Sequence, residues 1–196
     1  MSVKKIPVYL LAIVTALLAA GSAAAPRIDV ARFDGADNLQ RPVNLDEWIF
    51  VGAIVGHGYP DGDARHFSAA SPGRIQVVQM EPGAYHYLQQ HGEYADGTLL
   101  ALSFYDTQKK PAPVVDGAVQ GALSSFEIHL LDKQKFADRS AFYVFSNDAS
   151  TAPMIPAGNN CVACHQKDGA YDGTFVQFYP ALRDRLLKRA LAHKTE

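Results

Sequence analysis

The apolar stretches of this chain are short, and turn-forming residues separate them. Fifteen glycines and eleven prolines are spread through 196 residues, a pattern that favours many turns over a bundle of long helices. Between them, alternation marks extended chain. Within residues 122–131, Phe126, Ile128 and Leu130 share one face of a strand, while Glu127, His129 and Leu131 share the other. Residues 48–55 are apolar on both faces and predict a buried strand. Residues 74–80, 98–105 and 141–146 predict three more. Helices are fewer. Pro82 opens one, with Tyr85 and Leu88 on one face and Gly92 at its end. Leu182, Leu186, Leu187, Ala190 and Leu191 recur at helical spacing within residues 180–194. A short helical turn is expected in 133–140, and loops in 56–73, 109–121 and 153–160. The expected class is α+β, a mainly antiparallel sheet with a few helices.

Residues 1–24 stand outside that fold. Lys4 and Lys5 precede an apolar run, 6–20, and small residues follow from Gly21 to Ala25. That order is a secretory signal peptide. Pro26 disfavours a cut directly before it, so cleavage is expected after Ala24, with Ser22 and Ala24 as the small residues. The run is short for a membrane span, which needs roughly 20 apolar residues. No later run is long or apolar enough to serve. The expected product is periplasmic, with a polar, loose lead-in over 25–43 and a single domain over 44–196. Losing residues 1–24 removes two lysines and no acid, leaving a net charge of −4. Nothing in that balance suggests a nucleic-acid surface.

Both cysteines fall in one motif, Cys161-Val162-Ala163-Cys164-His165. The spacing Cys-x-x-Cys-His is the attachment signature of c-type haem. Two thiols three residues apart on one turn can each add to a vinyl group of one porphyrin, and the adjoining imidazole can reach its iron as the proximal ligand. Other readings compete. A thioredoxin-like pair wants a strand just before it, and Asn159-Asn160 after a Pro-containing stretch does not supply one. Structural zinc wants four ligands, and no second Cys or His pair is present. A plain disulfide leaves His165 without a role. One covalent haem c is the expected cofactor.

The other axial position decides the function. Electron carriers fill it with Met or a second His. Beyond residue 24 the only methionines are Met80 and Met154, and Met80 reads as core. His57, His66, His86, His91, His129 and His193 each read as surface histidines. A five-coordinate iron with one open face is the expected state, and a six-coordinate electron-transfer cytochrome is the alternative that lacks a ligand.

The segment from Cys161 through Asp168, followed by Thr174-Phe175-Val176-Gln177-Phe178-Tyr179-Pro180, resembles the end of the cytochrome P-460 and cytochrome c′-beta family. Trp48 with Val51-Gly52, Glu81-Pro82 with Tyr85, Asp96-Gly97-Thr98, and Phe126-Glu127 extend the likeness over residues 44–187. The resemblance implies a sheet-rich protein with one pentacoordinate c-type haem, often a homodimer. It also implies roles. Hydroxylamine-oxidising members carry a lysine, cross-linked to the porphyrin, at the position of Leu102. Lys109 and Lys110 lie past that strand. Glu127 matches the carboxylate that relays protons near the substrate and is the candidate catalytic residue. Leu100, Leu102 and Phe104 alternate onto one strand face, so Leu102 and Phe104 are expected to shape an apolar distal wall. The four-helix cytochrome c′ class also carries its motif late, but the β-alternation argues against it.

The functional expectation is binding of small gaseous ligands, NO or CO, as in NO scavenging. The enzymatic alternative is a haem oxidoreductase of hydroxylamine or NO. An electron-transfer partner protein is conceivable in either.

Overall fold

The computed structural model describes residues 27–56, 73–109, 117–146 and 148–192. The predicted signal peptide, His57, His66, Lys110 and His193 lie outside the described residues. In chain order the elements are β1 (Phe33–Asp34), β2 (Asn38–Gln40), β3 (Ile49–Val55), β4 (Ile75–Met80), α1 (Pro82–His91), β5 (Thr98–Lys109), β6 (Ala118–Leu131), β7 (Ser140–Ser146), β8 (Thr151–Pro153), α2 (Asn160–Asp168) and α3 (Pro180–Ala192). Strands β3 to β7 form one antiparallel sheet in sequence order, and β1, β2 and β8 form a smaller one. The architecture is α+β.

Register explains the two cores. Phe126, Ile128 and Leu130 on β6 face the smaller sheet, where they join Leu99, Ala101, Leu39, Trp48 and Ala152. The opposite face of β4 and β5 carries Val78, Met80 and Leu100, which pack on Ala84 and Leu88 of α1 and on Leu182 and Leu186 of α3. Burying a leucine of this kind contributes about 1.5–3 kcal/mol, so the stripe on α3 docks that helix firmly. Helix α1 begins where Glu81 accepts the Ala84 N–H at 2.7 Å. It ends at Gly92, which takes the left-handed φ of 70° that a C-terminal glycine permits.

Four expectations change. Residues 48–55 are not doubly buried: β3 is a sheet edge, and Phe50 is 60% exposed. The lead-in is not loose, because β1 and β2 pair there and Leu39 is fully buried. Strand β5 runs through Lys109, which therefore lies in the strand and not past it, and β6 starts at Ala118, so both ends of the expected 109–121 loop are sheet. Residues 133–139 form turns, closed by the Arg139 N–H on the Phe136 carbonyl, and not a helix.

Candidate functional site

Helix α2 carries the motif. Asn159 caps it, its side chain accepting the Cys161 N–H at 2.9 Å. Helical spacing then brings Cys161, Cys164 and His165 to one side, all lining the same cavity. The cysteines are not joined as a disulfide. Gly169 ends the helix with its N–H on the His165 carbonyl, 3.1 Å away. A Cβ at Gly169 would come within 2.5 Å of the backbone at Gly173 and His165, so only glycine lets the chain turn back here.

The returning segment is a tight turn. Tyr171 and Thr174 pair across it, and its central residues Asp172 and Gly173 have φ of 44° and 69°. Asp-Gly is the pair that a turn with two positive φ values favours. The Gly173 carbonyl accepts a hydrogen bond from His165 Nδ1 at 2.7 Å. Since a carbonyl only accepts, Nδ1 carries the proton and Nε2 keeps its lone pair. Burial holds the His165 pKa below the ordinary histidine value, while the Gly173 bond opposes that shift. A neutral imidazole with an available Nε2 is the form that binds metal.

Aromatic rings surround His165. Phe142 and Phe175 each lie 4.6 Å from it, centroid to centroid. His129 packs edge to face at 5.2 Å and stacks on Phe142 at 4.1 Å. His129 is buried, contrary to its reading as a surface histidine, and its Nε2 has no hydrogen-bond partner among the described residues. Burial, and then the neighbouring His165, push its pKa well down. The two imidazoles are in direct contact, so His129 is a neighbour of His165 and not a partner across a planar group.

The cavity, about 1060 Å³, lies between the β4–β7 face of the large sheet and the C-terminal elements. It lies just above the roughly 300–1,000 Å³ range of small-molecule sites. Cross-strand register orders the sheet in rows. Val78, Leu102 and Glu127 lie side by side, as do Met80, Leu100, His129 and Phe142. Leu100, Leu102 and Glu127 line the cavity; Phe104 does not. Phe104 is buried with the Arg74 guanidinium 6.0 Å from its ring, and Gln76, its partner across the strands, lines the cavity instead. The wall is thus mainly aliphatic but flanked by two polar side chains. Burial raises the Glu127 carboxyl to about 7. Met80 is fully buried in the core, Met154 is exposed, and neither lines this cavity.

His129 and the Asp172-Gly173 turn were the residues missed. Both had signals: His129 shares the Glu127 face of an alternating strand, and Asp-Gly follows the motif closely.

The residues present fit a haem. Two thiols and an imidazole with a free lone pair share one mouth, and the rest of the wall is mainly aromatic and aliphatic, as a macrocycle needs, with Gln76 and Glu127 as polar side chains on the sheet side. Among the described residues no group of three His, Cys, Asp or Glu side chains is gathered to hold a bare metal ion. Fold and cavity together define an α+β protein built around one cofactor-sized chamber. The sequence model of the family Cytochrome P460 matches residues 56–176, more than half the chain. The chain therefore belongs to the cytochrome P460 family and is a haem-binding cytochrome. No curated protein matches it. Among the described residues no helix is long and apolar enough to cross a membrane.

Proposed function

We propose that this chain is an exported, c-type monohaem cytochrome whose open face binds small diatomic ligands, NO and CO. The observation that carries the reading is the sheet wall of the cavity. It offers Leu100 and Leu102, and no methionine among the described residues. Cys161 and Cys164 would hold haem through thioethers, and His165 through its iron. Bound haem supplies the iron at which such ligands coordinate. The chain supplies the rest. The Gly173 carbonyl fixes the His165 tautomer, and Leu100 and Leu102 keep water and bulky groups from the open face. Leu102 cannot form the porphyrin cross-link for which the family's hydroxylamine oxidisers use lysine.

Glu127 favours a second reading, a haem oxidoreductase of hydroxylamine or NO. A carboxyl that titrates near 7 can both take and give a proton at neutral pH. In that reading Glu127 moves the proton, and Gln76 orients the bound molecule from the other side of Leu102.

One preparation tests the main reading. On a denaturing gel the protein should stain for covalent haem. Its ferrous spectrum should be high-spin and five-coordinate, should lack the red-shifted band of a lysine cross-link, and should change on CO addition. A low-spin, six-coordinate spectrum in both oxidation states, abolished by Met80→Ala, would make this protein an electron carrier instead.

A further inference from the structure

We infer that Asp172, braced by Lys133 and Arg139, is a positioning residue for His165 and acts through the single carbonyl that orients its ring. The inference rests on reading His165 as the iron ligand.

The path is short and continuous. His165 Nδ1 donates to the Gly173 carbonyl at 2.7 Å. The direction of that carbonyl is set by the backbone angles of Asp172 and Gly173. Asp is among the few residues with a Cβ that accept positive φ, and Asp172 takes a φ of 44° here. Its carboxylate is gripped at both oxygens. Lys133 Nζ lies 3.5 Å from Oδ2, and an Arg139 guanidinium nitrogen lies 3.3 Å from Oδ1. Arg139 also has positive φ, 67°. Two of the three non-glycine residues in that region, among the described residues, therefore face each other across one ion pair.

The backbone at the far end of the brace is tied down, although the Lys133 and Arg139 side chains are 40% and 58% exposed. Lys133 and Arg139 belong to the turns joining β6 to β7, and the fully buried Asp132 organises them. Its Oδ1 accepts the Gln134 and Lys135 N–H groups at 3.1 and 2.9 Å. The Lys133 N–H is itself bonded to Asp96 Oδ1 at 2.7 Å. The same β6 strand carries His129, which touches the His165 ring. The sheet thus fixes the imidazole twice, by ring contact and through the ion-paired turn. An ordinary surface ion pair would affect stability alone. This one ends one residue from the acceptor that sets the tautomer, rotation and basicity of the ligand.

The test uses the haem-loaded full chain and two variants, Asp172→Asn and the double change Lys133→Gln with Arg139→Gln. Asparagine also tolerates positive φ, so the first removes charge without adding backbone strain. Two quantities are read: the iron–imidazole stretching band of the ferrous protein, and the thermal unfolding midpoint of the loaded protein. In both variants the band should move to lower frequency. Salt at about 1 M, with a Debye length near 3 Å, should move the wild type the same way and leave Asp172→Asn unmoved. Loaded variants that melt earlier but match the wild type in band would reduce the brace to a structural contact and overturn the inference alone. Wild-type protein without covalent haem would overturn the functional reading, and this one with it.

Discussion

Burial lifts the Glu127 carboxyl from an ordinary 4.5 to about 7. Between those values the unfolded chain is ionised while the folded chain still holds the proton, so stability falls as pH rises through that window. Above about 7 the loss is complete. Glu127→Gln should therefore gain on the wild type as pH increases from about 4 to about 8. Urea midpoints across that range check it, and a flat difference would mean that the carboxyl is solvated. The facing of Glu127 was legible because Phe126 and Ile128 flank it with opposite alternation. His129 obeys the same alternation, yet a lone histidine in a sequence gives no sign of what will cover it. Its cover, Phe142 and His165, comes from segments 13 and 36 residues further on. Phe104 failed for the converse reason. Alternation gives a face, but not how far along that face a chamber reaches.

Single elements carry packing that composition hides. Gly52 on β3 lies against the Tyr179 ring, and a methyl group at that position would overlap it. Tyr179 lines the cavity. Gly52→Ala should cost about 1–3 kcal/mol by overpacking and should push the ring toward the chamber. Tyr179→Leu should relieve it, with a coupling of about 0.5–3 kcal/mol between neighbours. Thermal unfolding of the four proteins of that cycle measures the coupling, and simple additivity would refute the contact. Helix α1 was legible almost to the residue, since Glu81, Pro82 and Gly92 act locally. Strand β6 was not, because Gly121 reads as a breaker. In the fold it sits in the ladder where a Cβ would come within 2.9 Å of the Asp106 carbonyl, beside an irregular register. There glycine permits a close approach and does not end the strand. The sequence predicts β3 as a buried strand, since no sequence rule tells an apolar edge from an apolar centre.

At the scale of the whole molecule, the first described residues act as a clasp. Arg27 reaches the carboxylate of the fully buried Asp132 at 2.6 Å, and the Ile28 N–H bonds to the Asp96 carbonyl at 2.7 Å. Arg27 is partly exposed, so the pair is weaker than a fully buried one. Losing it would still leave a buried charge without its partner. Arg27→Ala should lower stability by about 1–3 kcal/mol, with Arg27→Lys recovering most of it. Denaturant midpoints at constant slope would measure this, and equal midpoints would show that the clasp contributes nothing. The clasp was invisible in a segment that looked like a polar lead-in. The order of elements has a consequence for biogenesis. Every strand of both sheets is complete in sequence by Pro153, and the motif helix and the outer wall of the chamber come later. As the polypeptide emerges, the β-frame can pair before the motif helix arrives. Cys161, Cys164 and His165 are thus presented by a segment laid down against a frame already made.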